Sequence, residues 1–486
     1  MVAKWAIRSG CRLALWVGMS IFLTSCMVGP DYVKPSVIAP AAYKEIDGWK
    51  VAQPQDDIMR GAWWDIFHDS QLSALEERVD ISNQNVIAAE ARFQQARALV
   101  REARASYFPT VTAGLGATQS RTPYVTSGTT TSARAISSYS LPIDFSWELD
   151  VWGRIRRTVE SNQASAQASA ADLEAARLSY RATLAQDYFQ LRTYDAQKQL
   201  LDETVAAYQK SLAVTKNRYA SGVAAQAEVS QAEAQLKTTQ AQAADVGVQR
   251  ARTEHAIALL LGEAASTFSL PKTPLVATPP SIPVGAPSEL LERRPDIAVA
   301  ERDMAAANAA IGITEAAYYP TIILSASSGF ESTSLSQWLT WPMHFWSVGA
   351  GISQVVYDGG LRRAQTDYAR AAYEASVANY RQTVLTAFQT VEDNLAALRI
   401  LEEEAHAQEE AVQAAQRSMA LTMNQYKAGL VNYLNVITTQ TIALSSETTA
   451  VQILGRRMTA TVLLIEALGG GWNTTNLPSV QEVTNS

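Results

Sequence analysis

Cysteine and histidine are almost missing from this chain, with two and four residues among 486. His68, His255, His344 and His406 fall in unrelated segments, with no metal-ligand spacing and no nucleophile beside them. No catalytic site, metal site or cofactor is therefore expected. Cys11 and Cys26 build no disulfide framework. Positive charge is also short. Forty Lys and Arg against 47 Asp and Glu give a formal charge of −7, a balance that excludes nucleic acid as a partner. After Cys26 there is no apolar run of roughly 18 residues, so no membrane-spanning helix is expected.

Glycine and proline are absent from two long stretches. Arg154 to Ser221 and Leu361 to Ala428 are each 68 residues without either, and each ends at a glycine, Gly222 or Gly429. A continuous helix of that length spans on the order of 100 Å, far beyond an ordinary globular helix. Landmarks repeat between the halves. Asn217-Arg218-Tyr219-Ala220-Ser221-Gly222 and Asn424-Gln425-Tyr426-Lys427-Ala428-Gly429 are offset by 207, as are Leu261-Gly262 and Leu468-Gly469. Gly153-Arg154-Ile155-Arg156-Arg157 and Gly359-Gly360-Leu361-Arg362-Arg363 are offset by 206, and Tyr107-Phe108-Pro109 and Tyr318-Tyr319-Pro320 by 211. The pattern reads as a duplicated half. Leu184, Tyr188 and Leu191, like Val391, Leu395 and Leu398, form a helical stripe. The stripe shows sideways packing, as in any coiled coil, and leaves open what the helices enclose.

The N-terminus points to a compartment. Lys4, Arg8 and Arg12 precede a short apolar stretch, Leu13 to Leu23, with the build of a secretory signal. Leu23-Thr24-Ser25-Cys26 is similar to a bacterial lipobox, in which the cysteine becomes the lipidated first residue. Met27 in place of an aspartate suggests export to the outer membrane. Cleavage leaves 37 basic against 47 acidic residues, a formal charge of −10.

Between each aromatic-Pro landmark and the next rod the period changes to two. Tyr139, Leu141, Ile143, Phe145, Trp147 and Leu149 alternate with Ser140, Pro142, Asp144, Ser146 and Glu148, and Val111, Ala113, Leu115 and Ala117 alternate upstream. In the second half, Ile322, Leu324, Ala326 and Phe330 form one face, and Trp346, Val348, Ala350, Ile352 and Val356 another. Strands of about ten residues suit a tilted crossing of a bilayer. Tyr107, Phe108, Trp152, Tyr318, Tyr319, Trp338, Trp341 and Tyr357 gather at their ends, as interface girdles do. Pro142 costs a ladder bond unless it sits at a bulge or an unpaired edge. Four strands cannot close a barrel, and open edges are not tolerated in lipid, so several copies must contribute.

The expected organisation is a signal peptide over 1–25 and a lipid-anchored, extended or equatorial segment over 26–77. A first repeat covers 78–262: a helix to about 106, strands at about 110–119 and 138–149, the rod 154–221 and a return helix 223–261. A Pro-rich linker covers 263–295. The second repeat, 296–469, has a helix to about 317, strands at about 321–330 and 345–357, the rod 361–428 and a return helix 430–468; a tail covers 470–486. Gly222 and Gly429 mark helical hairpin tips. The irregular pieces wrap the rods near mid-length, and Glu402-Glu403-Glu404 reads as a solvated helix face.

Cys26-Met27-Val28-Gly29-Pro30-Asp31-Tyr32, Trp63-Trp64-Asp65-Ile66-Phe67, Leu291-Glu292-Arg293-Arg294-Pro295-Asp296-Ile297 and Ala467-Leu468-Gly469-Gly470-Gly471-Trp472 resemble, in order, the signatures of lipid-anchored TolC/OprM-like outer membrane factors (NodT-type). The resemblance implies a mixed α and transmembrane β fold. A homotrimer would form one 12-stranded β-barrel, four strands per protomer, continued by a periplasmic α-helical barrel with an equatorial domain. It implies the outer-membrane exit duct of a tripartite, RND-type efflux pump for drugs or other small molecules, with an inner-membrane pump, a periplasmic membrane-fusion adaptor and outer-membrane lipid as partners. Cys26 would carry the lipid. Tyr426-Lys427-Ala428-Gly429 matches the family's hairpin turn, Leu434 its constricting leucine, and Asn432 and Tyr433 flank it. Arg218, Tyr219, Gly222 and Gly429 would serve adaptor docking. Thr438 and Val431 replace commonly acidic positions, so a leucine constriction with polar contacts is expected rather than an aspartate ring. A periplasmic adaptor or structural lipoprotein is the rival reading; it has no need of ten-residue alternating hairpins with aromatic ends.

Overall fold

The computed structural model of the chain describes residues 27–37, 39–45, 61–121, 124–126, 129–131, 135–276, 278–280, 282 and 287–485. The signal-peptide assignment and Cys26 lie outside them.

Among the described residues, seven helices of 13 residues or more carry the fold. They are α1 (Ser70–Ser82), α2 (Gln84–Ala105), α3 (Arg154–Ala220), α4 (Gln226–Leu260), α5 (Pro295–Ala316), α6 (Leu361–Lys427) and α7 (Tyr433–Ala467). The rods α3 and α6 have 67 residues each, about 100 Å at the helical rise. Both start at a left-handed glycine, Gly153 or Gly360, after an aspartate that caps the free amides. Asp150 accepts from Ile155 N (2.8 Å) and Arg156 N (3.0 Å), and Asp358 accepts from Arg362 N (3.3 Å) and the Arg362 guanidinium (2.6 Å).

The helices form one layer of four columns: α2 with α4, then α3, then α5 with α7, then α6. The second and fourth columns are unbroken rods. The first and third are two helices end to end, and each joint is stitched by a named side chain. Asn83 caps the start of α2 through Asn85 N (2.9 Å) and Val86 N (3.2 Å), and its Nδ2 donates to the Leu260 carbonyl (2.8 Å) at the end of α4. Arg294 donates to the Ala467 carbonyl (2.9 Å) at the end of α7 while pairing with Asp296 (2.6 Å) at the start of α5. Pro295 opens α5, where a missing N–H costs nothing. A Cβ on Gly469 would strike the Arg293 carbonyl, so the Arg-Arg-Pro-Asp and Leu-Gly-Gly-Gly motifs are the two halves of one joint.

The main core sits at rod mid-length. Tyr188, Phe189 and Leu191 of α3 and Val384, Val391 and Leu395 of α6 pack with Trp63, Trp64, Phe67, Leu72, Leu270, Ile282 and Leu290. A buried ion network clips the linker there. Asp195 accepts from Arg192 (3.1 Å), Arg250 (2.7 Å) and Thr273 N (3.0 Å), and the two arginines donate to the Pro271 (2.7 Å) and Leu270 (2.8 Å) carbonyls.

The sheet order is β1 (Thr110–Ala113), β5 (Ala135–Glu148), β6 (Thr321–Ser332), β7 (His344–Ser353), with β2 (Gly116–Arg121) continuing β1 along β5. A small hairpin, β3 (Tyr124–Thr126) with β4 (Thr129–Thr131), was not expected.

Several sequence-based bounds change. The helix expected over 78–106 begins at Ser70 and breaks at Asn83, because Asn83 ends one helix and caps the next. The return helices start three residues late, at Gln226 and Tyr433, after turns that use those residues. The last strand stops at Ser353, leaving Val356 and Tyr357 outside it. Pro142 is neither at an edge nor a bulge. It lies in the internal strand β5, accepts from Gly114 N (2.9 Å) and has no N–H to return. The ladder lapses over 114–115, dividing the neighbouring strand into β1 and β2 although the register is the same on both sides. The Glu402–Glu404 run lies on a solvated helix face, as expected, and also carries surface ion pairs: Glu402 with Arg457 (3.8 Å), Glu403 with Arg399 (3.6 Å) and Glu404 with Arg456 (3.1 Å).

Candidate functional site

Three places carry candidate residues: the helical hairpin tips, the two faces of the sheet, and the entry of the chain after Cys26.

Both tips are Schellman turns. Gly222 and Gly429 have φ of 72° and 77°, and Val223 N and Leu430 N each reach back to the carbonyls of Arg218 and Gln425 (2.9 Å each). The left-handed φ selects glycine. Asn432 then caps α7, accepting from Asn435 N at 3.3 Å.

The two hairpins are tied together by a buried cluster of Tyr208, Leu212, Val229, Leu236, Tyr426, Tyr433 and Val436. Tyr426 and Tyr433 meet edge to face at 5.3 Å. The Tyr426 hydroxyl donates to Glu228 Oε2 (3.1 Å), the Tyr433 hydroxyl bonds Ser211 Oγ (3.0 Å), and the Arg218 guanidinium lies 4.8 Å over the Tyr426 ring. Burial raises the pKa of both phenols, keeping both neutral. Tyr426 and Tyr433, expected with Lys427, Asn432 and Leu434 at the periplasmic gate, are buried within the chain and tie the two hairpins together. Packing of α7 against α3 and α4 covers them. Lys427, Asn432, Tyr219 and Leu434 are exposed, Leu434 at 53%. Leu434, Thr438 and Thr441 share an exposed stripe of α7 whose opposite face, Tyr433, Val436, Gln440 and Ala443, is buried. Sequence reasoning missed Glu228. The signal available was an acidic residue in the first turn of α4, where a carboxylate favours the helix N-terminus.

The ladder registers bring the period-two patterns onto one face. Val111, Phe145, Ala326 and Val348 align across the sheet, as do Ala113, Ile143, Ser328 and Trp346, then Trp147, Leu324 and Ala350. Much of this face is bare. Val111, Leu115, Ile143, Trp346, Val348 and Ile352 are all more than half exposed. The other face is Thr112, Asp144, Ser327 and Ser347 in one row, with Ser140 and Glu331 in another. Both edges, β1 with β2 and β7, have no partner strand among the described residues. Aromatics sit at both ends. Trp152 stacks on Tyr319 (4.8 Å) and donates to the Pro320 carbonyl (2.8 Å) at the rod end, while Trp341 stacks on His344 (4.9 Å) at the far end.

The first described residues are clamped beside the rod-end aromatics. Val28 N donates to the Trp152 carbonyl (3.1 Å). Arg157, 1% exposed, donates to the carbonyls of Val28 (3.2 Å) and Gly29 (3.0 Å) and pairs with Asp31 (2.9 Å). Among the described residues no helix is long and apolar enough to cross a membrane, and no group of side chains has metal-binding geometry.

A model of the outer membrane efflux protein family matches residues 75–263 and 286–470. The chain is 32% identical over 460 residues to the solvent efflux pump outer membrane protein SrpC of Pseudomonas putida, covering 93% of this chain and 97% of the relative. It is 28% identical over 468 residues to the cation efflux system protein CusC of Escherichia coli, covering 96% and 99%. Its structure matches the outer-membrane channel OprN with a TM-score of 0.86 at 30% identity, over 92% of this chain and all of that one.

Proposed function

The chain belongs to the outer membrane efflux protein family, and from that membership we infer that it is the outer-membrane exit duct of a tripartite efflux pump. The observation that carries the membrane end of this reading is the sheet. One face is apolar and bare, the other hydroxylated and acidic, and neither edge has a partner strand among the described residues. Lipid requires every backbone group to be bonded, so the free edges call for further copies of the chain. Each copy has four strand positions, and three copies supply the twelve of a closed barrel. The helical layer has the same need: α6 forms one edge, α2 with α4 the other, and closing three layers makes a tube.

Cys26 would carry the lipid. Val28 is bonded to Trp152, which supports an anchor at the level of the rod-end aromatics. The tip would meet the periplasmic adaptor through Arg218, Tyr219 and the Gly222 and Gly429 turns, and the adaptor would join it to an inner-membrane pump. Leu434, with Lys427 and Asn432 near it, would narrow the passage, while Tyr426 and Tyr433 hold the hairpins in the narrow arrangement. The relatives' names cite solvents in one case and cations in another, as suits a passive duct whose pump selects the cargo.

Membrane fractionation with cross-linking tests this reading. The expected result is a trimer in the outer-membrane fraction and raised drug susceptibility in a deletion strain. A monomer in the soluble periplasmic fraction would overturn it.

A further inference from the structure

A cleft of about 450 Å³ lies between α3, α6 and α7, next to the buried cluster that ties the hairpin tips. Its walls are largely apolar: Leu200 and Ala207 of α3, Met419 and Met423 of α6, Ala443 and Leu444 of α7. Tyr208 is shared with the tip cluster. Gln440 and Ala443, on the α7 wall, belong to the face opposite the exposed Leu434 stripe. The cleft is therefore not the passage that Leu434 would narrow.

Two features of this cleft are unmatched within the chain. Its charged lining residues are Glu203 and Glu447, and no lysine, arginine or histidine lines it. Glu203 accepts from the Gln199 amide (3.0 Å) and Glu447 from the Gln416 amide (2.6 Å), and neither forms an ion pair with a described residue. Gln440 is only 5% exposed, and its Oε1 has no hydrogen-bond partner among the described residues. A buried amide oxygen without a donor is destabilising until a donor reaches it.

We propose that this cleft binds small hydrophobic ammonium compounds. Glu203 and Glu447 match the charge, Gln440 accepts an N–H, and the leucines and methionines hold the apolar body. Methionine suits this task, because its flexible thioether adapts to varied shapes and contacts aromatic rings favourably. The ligand touches α3 of the first hairpin and α6 and α7 of the second, so its binding stabilises their packing by mass action. The inference goes beyond the exit-duct reading and does not rest on it.

The probe is 1-naphthylmethylammonium, compared with 1-naphthylacetate, an anion with the same ring. Equilibrium dialysis uses the purified full-length protein in detergent, with protein-free micelles subtracted. The cation should bind saturably, one per chain, and the anion should not. Glu203→Gln combined with Glu447→Gln should weaken binding about tenfold, the Coulomb estimate for two carboxylates each about 6 Å from the bound charge in water. Glu233→Gln, at an exposed carboxylate of α4 outside the cleft, should leave it unchanged. Ala207→Trp, at an exposed position of the wall, should fill the cleft and abolish binding. Gln440→Leu should weaken the ammonium but not its N-trimethyl analogue, which has no N–H to give. The glutamine pair preserves the volume of the cleft, so it decides the question even where Ala207→Trp unfolds the tip. No saturable binding to the parent, equal binding of the anion, or an affinity unmoved by the glutamine pair overturns the inference and leaves the duct reading standing.

Discussion

Tyr426, on the last turn of α6, donates its hydroxyl to Glu228, on the first turn of α4, at 3.1 Å. The bond spans 198 residues of sequence and ties one hairpin tip to the other. Deleting the hydroxyl in Tyr426→Phe removes a bond to a charged acceptor, worth about 1.5–3 kcal/mol. We expect the tip to open more often, with larger single-channel conductance and greater antibiotic entry in cells lacking the pump. Glu228→Gln should give a smaller change in the same direction, and the double variant should resemble Tyr426→Phe alone. Fully additive effects would show that the two groups act separately.

Leu434 needs a different test, because it is exposed and holds nothing in place. Leu434→Ala should widen the constriction without loosening the hairpins. The expected outcome is raised conductance at an unchanged thermal midpoint. Unchanged conductance would remove Leu434 from the gate.

Arg294 joins α7 to α5 through the Ala467 carbonyl and Asp296. Arg294→Ala leaves a part-exposed Asp296 without its cation and an end carbonyl without a donor, a loss of about 1–3 kcal/mol. Lysine cannot reproduce the two-pronged contact, so Arg294→Lys should recover only part. Thermal unfolding of the purified protein measures both. A midpoint within one degree of the parent for Arg294→Ala would refute the joint.

Asp187, on α3, has its pKa raised to about 6 by burial. The sign follows from linkage: the folded state holds this proton more tightly than the unfolded chain. The stabilisation is complete below the ordinary Asp value near 3.9 and is lost as pH rises through about 6. Asp187→Asn should therefore raise the thermal midpoint at pH 8 and leave it nearly unchanged at pH 4. A gain of equal size at both pH values would rule out titration of this carboxyl as the cause.

Much was legible locally. A missing glycine or proline is a property of each residue, so the two rods and their glycine ends could be read off the chain. The two-residue period likewise assigns a face from sequence alone. Other features required partners distant in sequence. The division of β1 from β2 depends on Pro142, more than 20 residues away. The role of Arg294 depends on the end of α7, 173 residues on.

The repeat itself shows the limit. By sequence, Tyr219 and Tyr426 are equivalent, as are Arg157 and Arg363. In the fold Tyr219 is 46% exposed and Tyr426 only 2%. Arg157 is buried on the N-terminal segment while Arg363 is exposed. The sequence by itself determined the two long rods, their glycine ends and the faces of the alternating strands, because these follow from propensity and period within one segment. Only the tertiary structure decided which copy of each repeated residue is buried. The second hairpin packs onto α3 and α4, the N-terminal segment covers Arg157 at the start of α3 and leaves Arg363 at the start of α6 bare, and a single chain has one of each to offer.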